Sequence, residues 1–151
     1  MTQHSPRHKA AIAINVLILL AILAFIFGHS TADQAASSAE SMQLLSLLSG
    51  LFQGLTEHIL RKLAHFCEFA ALGFFTAHLS RVCRKLSVHT VFHSLLFGLL
   101  CALTDESIQL LNDRSAQVTD VWIDFSGVCG GVLFFLLLVV IHRLWRKRGI
   151  T

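Results

Sequence analysis

Charge is scarce in this 151-residue chain. Asp, Glu, Lys and Arg together make up 14% of it, proline occurs once, and the four cysteines form no Cys-x-x-Cys pair. Each shortage excludes something. The net charge of +3 is split into short clusters at the ends of apolar runs, so there is no basic patch of the kind that holds nucleic acid. Cys67, Cys83, Cys101 and Cys129 lie in different segments, three of them inside apolar runs, and read as small core residues. That spacing implies neither a disulfide framework nor a zinc site. With proline nearly absent, the apolar runs carry no helix breaker.

What fills the chain is hydrophobic residues, 54% of the total. With so few charges, that balance belongs to a polytopic membrane protein forming one domain over residues 1–151. Ala10 to Phe27 runs without a charge and reaches ~27 Å as a helix, enough to cross most of the hydrocarbon. Ser30-Thr31-Ala32 offers a signal-peptidase site, but the run is longer than a usual signal core, so an uncleaved anchor is expected. Further spans are predicted at Ile59 to Leu79, Val91 to Leu111 and Val121 to His142. Between the first two, about residues 40–55, Leu44, Leu47, Leu48, Leu51, Phe52 and Leu55 recur at helical spacing opposite polar residues. This predicts an amphipathic extracytoplasmic helix. It has no basic face for anionic lipid, so packing on neighbouring helices is its expected use. The expected fold is therefore all-α, a bundle of four transmembrane helices with that added helix.

Lys and Arg set the orientation. With the amino terminus cytoplasmic, nine of the twelve fall inside, leaving Arg61, Lys62 and Arg114 outside. Both termini are then cytoplasmic. Under this topology the second helix starts, the third ends and the fourth starts at one face, and each brings polar groups there. Glu57, Arg61, His65 and Glu68 fall at spacings of four, four and three on one stripe, with Lys62 beside it. Asp105 and Gln109 are four apart, with Glu106 adjacent and Arg114 in the turn beyond. Asp120, Asp124 and Gly127 share a face of the fourth helix. A charge near the bilayer centre costs roughly 2.5–3.5 kcal/mol, so these groups should turn inward and meet in a polar pocket. Gly127 and Gly131 form a Gly-x-x-x-Gly, read as helix packing. His29 and His58 read as loop residues, and His78 as interfacial.

These residues resemble the ordered motifs of the VanZ-like membrane protein family. The resemblance rests on Arg61-Lys62-Leu-Ala-His65-Phe66-Cys-Glu68-Phe69, Asp105-Glu106-x-x-Gln109 with Arg114, and Asp120-x-x-x-Asp124-x-x-Gly127 with Gly131. It spans about Leu60 to Leu136; many members carry Asn where this chain has Asp124. The resemblance implies the bacterial cytoplasmic membrane and the cell envelope, with an association with teicoplanin resistance through the founding member.

Several functions suit this pattern. The first is recognition of an anionic envelope lipid or lipid-linked precursor: Arg61, Lys62 and Arg114 would hold phosphate, while Asp105, Glu106 and Gln109 position them or accept sugar hydroxyls. A second is a hydrolase or transferase on such a lipid, with His65 as general acid or base oriented by Asp105 or Asp124, and Glu68 as a further candidate. The spacing assigns no metal or cofactor. Were a carboxylate pair to hold an ion, the oxygen-rich set suits Mg²⁺ or Mn²⁺ better than zinc. A third reading is structural: buried ion pairs such as Arg61 with Asp120, or His65 with Asp124, fixing helix register. A standalone transporter is disfavoured, since no broken helix or inverted repeat is visible, while a homo-oligomer stays open.

Overall fold

The computed structural model describes residues 6–31, 38, 42–43, 46–47, 56–83, 86–112 and 117–149. Among these it is all helical, with four long α-helices and no strand: α1 (Pro6–Ser30), α2 (Glu57–Cys83), α3 (Val88–Leu111) and α4 (Val118–Lys147). The four predicted spans each fall inside one helix, and the helices run past them by up to five residues at either end. The amphipathic segment at 40–55 lies almost wholly outside the described residues, as do Arg114 and Asp113.

Three of the helices, α1, α3 and α4, are long and apolar enough to cross a membrane. Helix α2 is as long, but His65, Glu68 and His78 dilute its apolar run. Packing accounts for the difference: α2 touches each of the other three helices, and its interface with α4 is the most extensive in the molecule. A helix enclosed by neighbours can carry polar groups that a lipid-facing one cannot. The outward faces are apolar, with Leu17, Leu20, Phe25, Leu100, Leu133 and Phe134 among the large side chains left exposed.

Small residues set the α2–α4 distance. A Cβ placed on Gly131 would lie 1.9 Å from the Ala70 carbonyl oxygen, and one on Gly127 2.4 Å from that of Phe66. Gly73 returns the contact from α2, where a Cβ would meet the Val128 carbonyl oxygen at 2.3 Å. The Gly-x-x-x-Gly thus works as packing, bringing backbone against backbone. Around this crossing Phe69, Leu72, Val128, Val132, Ala102 and Ile26 form the core.

Polar contacts pin both ends of the bundle. Helix α3 starts with a reciprocal capping box, the Ser87 hydroxyl accepting from Thr90 N–H and the Thr90 hydroxyl from Ser87 N–H. Near that end Asn15 of α1 meets the His78 ring at 2.7 Å, and Ser80 of α2 lies 3.4 Å from Ser94 of α3. His78 is therefore paired, and its ring also packs edge-on against Phe135. At the far end Gln117 has no side-chain cap for α4; its backbone N–H instead donates to Glu106 of α3 at 2.5 Å. This bond fixes where α4 begins relative to α3.

Candidate functional site

The end of the bundle opposite Asn15 and His78 collects the polar stripes. From α2 come Lys62, His65 and Glu68, from α3 Asp105, Glu106 and Gln109, and from α4 Asp120 and Asp124. His65 sits between two carboxylates, its Nδ1 3.8 Å from Asp105 Oδ2 and 3.6 Å from Asp124 Oδ1. Both separations exceed a hydrogen bond, typically ~2.7–3.2 Å, and are ion pairs only when His65 is protonated. Both carboxylates are sealed: Asp105 is 0% and Asp124 1% exposed.

Asp105 is the most firmly held of these groups. It accepts a hydrogen bond from the Ser30 hydroxyl of α1 at Oδ1 and one of 2.7 Å from the Gln109 amide at Oδ2. The Gln109 bond follows from helical spacing, since residues four apart lie one above the other. Asp124 differs: Oδ1 faces His65, while Oδ2 is buried and has no hydrogen-bond partner among the described residues. Glu68 likewise has one oxygen near His29 Nδ1, at 3.7 Å, and the other buried without a partner among those residues.

Nearer the helix ends the cations appear. Lys62 Nζ lies 2.9 Å from Asp120 Oδ1, with both side chains about one-third exposed. Arg61 turns along its own helix to Glu57, 3.9 Å away. The expected Arg61–Asp120 pair is thus replaced by Lys62–Asp120. Consecutive residues on a helix point about 100° apart, so only one of the two can face α4. The result is a layered site, with charged pairs at the rim and an acidic floor beneath it.

Helix α1 is the contributor that pattern reading missed. His29 is not a loop residue: α1 continues through Ser30, which puts His29 beside Glu68 and Ser30 against Asp105. Two polar residues ending an apolar run look like ordinary interfacial residues in sequence. The available signal was positional, because an antiparallel α1–α2 pair must bring the end of α1 to the start of α2.

A buried polar centre at one end of a bundle with apolar outer faces defines an integral membrane protein whose site lies between its helices. The VanZ/LLP1 family profile matches residues 13–140, and the chain belongs to that family. The match begins within α1, so it takes in all four helices. No curated protein and no solved structure matches the chain.

Proposed function

We propose that the protein spans the bacterial cytoplasmic membrane with four helices, α2 included, and binds the phosphate-bearing headgroup of an envelope lipid or lipid-linked precursor at its outer face. The orientation rests on the clustering of Lys and Arg at the opposite end of the bundle, which the positive-inside rule puts in the cytoplasm. One observation carries the binding reading: Lys62 and Arg61 stand partly exposed at the rim, above a floor in which Asp105 and Asp124 are buried. Among the described residues each pairs with one carboxylate, which an incoming phosphate can replace with stronger charge-assisted bonds. Arg114, which the sequence places between α3 and α4, joins them in this proposal. Glu106 and Gln109, which bond Gln117 and Asp105, keep the floor in shape beneath the headgroup. The family's association with teicoplanin resistance fits a protein that handles an envelope precursor.

The test is binding of a polyprenyl phosphate to the purified protein in phosphatidylcholine nanodiscs, compared with the neutral polyprenol. The expected result is preference for the phosphate, weakened in Arg61→Ala, Lys62→Ala and Arg114→Ala. Equal binding of both lipids, or unchanged affinity in all three variants, removes the proposal.

A second reading, a hydrolase or transferase on the same class of lipid, draws on the placement of His65. Its side chain is 22% exposed while its Nδ1 faces Asp105 and Asp124, the setting in which carboxylates orient a general acid or base. Release of phosphate from a polyprenyl diphosphate, abolished by His65→Gln, would support it. Absence of turnover in the unaltered protein would remove it.

A further inference from the structure

The acidic floor has a geometry that neither lipid binding nor helix register requires. His65, Asp105 and Asp124, one from each of three helices, offer ligand atoms that all lie within 4.8 Å of one another. We infer that these three side chains form a binding site for one divalent cation of the oxygen-preferring class, Mg²⁺ or Mn²⁺.

Distance supports this first. At a metal–ligand distance of ~2.1 Å, two ligands of an octahedron stand ~3.0 Å apart when adjacent and ~4.2 Å when opposite. The 3.6 and 3.8 Å separations of His65 from the carboxylates are too long for hydrogen bonds and lie within about 1 Å of the adjacent-ligand distance, so small side-chain movements would close the three groups around one ion. Charge supports it next. With both carboxylates ionised, a protonated His65 between them would leave one negative charge uncompensated inside the bundle, which is costly in an apolar surround. A divalent ion with the same two carboxylates and a neutral imidazole sums to zero.

The surroundings are those of ligands held in place. Asp105 is oriented by Ser30 and Gln109, as outer partners commonly orient metal-binding carboxylates. Asp124 Oδ2, in a side chain 1% exposed, has no protein partner among the described residues, and Asp124 is one of the three ligands. Glu68 lies one turn beyond His65 on the same stripe and places a further carboxyl group nearby. Two oxygen donors against one nitrogen favour Mg²⁺ and Mn²⁺, of which Mn²⁺ accepts imidazole more readily. Three protein ligands leave coordination positions for water or for a phosphate oxygen, although the site stands independently of what the rim cations bind.

Mn²⁺ is the probe for the test, since it reports by electron paramagnetic resonance without any assay of activity. The full chain in phosphatidylcholine nanodiscs, with no polyprenyl phosphate present, is expected to bind one Mn²⁺ whose echo modulation shows an imidazole nitrogen. Labelling histidine with ¹⁵N should change that modulation, a result that needs no substitution. In Asp124→Asn, affinity should fall by about tenfold or more, while His142→Gln, near the other end of α4, should leave it unchanged. Sub-stoichiometric binding, bound Mn²⁺ without a histidine nitrogen, or equal affinity in Asp124→Asn overturns the inference. Because no polyprenyl phosphate is present, and phosphatidylcholine is common to both experiments, these results are separate from success or failure of the lipid-binding test.

Discussion

Substituting alanine at Gly131 should disrupt the molecule out of proportion to the single methyl group added. The new Cβ would lie 1.9 Å from the Ala70 carbonyl oxygen and 2.9 Å from the Phe74 nitrogen, both backbone atoms of α2. No rotamer change relieves a clash with backbone, so the helices themselves must separate, by about 1.5 Å to restore ordinary contact. Overpacking of this kind costs about 1–3 kcal/mol, and the rigidity of the neighbour puts Gly131→Ala near the upper end. The adjacent glycine supplies the control. A Cβ on Gly130 meets only the tip of the Phe66 ring at 3.4 Å, and alanine favours the helix by up to ~1 kcal/mol. Gly130→Ala should therefore be neutral or mildly stabilising. Unfolding free energies in detergent or bicelles, obtained by steric trapping, compare the two. The displacement should also reach the site, because Asp124 and His65 lie on the separating helices only 3.6 Å apart, so Mn²⁺ binding should weaken in Gly131→Ala alone. Equal stability of the two variants would refute the close α2–α4 crossing.

Other substitutions probe the layers of the site. Ser30→Ala leaves the buried Asp105 carboxylate short of a donor and should cost about 1–3 kcal/mol in the same unfolding measurement; a neutral result would detach α1 from the site. For Lys62 and Asp120, a double-mutant cycle should give a coupling of only about 0.2–1 kcal/mol, since both side chains are part-exposed. The charge-exchanged protein, Lys62→Asp with Asp120→Lys, should recover that coupling, whereas absence of coupling would mean the two do not meet. Without divalent cations, Asp124→Asn should melt no lower than the unsubstituted protein, because the amide removes a buried charge that has no partner for one of its oxygens. Addition of Mn²⁺ should then raise the melting temperature of the unsubstituted protein only. Equal stabilisation of both would show that the ion binds elsewhere.

Much of this arrangement is written in the residue pattern. Long apolar runs with few charges announce α1, α3 and α4, because few other environments tolerate such stretches. The polar stripes of α2, α3 and α4 are legible from three- and four-residue spacing, and the cost of charge in lipid says that they turn inward. What the pattern does not contain is pairing. Whether Lys62 or Arg61 meets Asp120 depends on the rotation of α2 about its own axis, which the backbone contacts of Gly127 and Gly131 determine. Glu106 receiving the Gln117 N–H across a turn has no periodic signature at all. Ser30 was invisible for another reason: a hydroxyl at the end of an apolar run is commonplace, and only the antiparallel packing of α1 brings it onto Asp105.

The account depends on His65, Asp105 and Asp124 meeting between helices. Solid-state nuclear magnetic resonance in bilayers tests this directly, by dipolar recoupling between ¹⁵N-labelled histidine rings and aspartate side-chain carboxyl carbons labelled with ¹³C. Two aspartate signals should dephase at a rate set by their nitrogen–carbon separations, each at most about 1.2 Å longer than the nitrogen–oxygen distances of 3.6 and 3.8 Å, and both effects should vanish in His65→Gln. Carboxyl signals that do not respond to the loss of His65 would contradict the account.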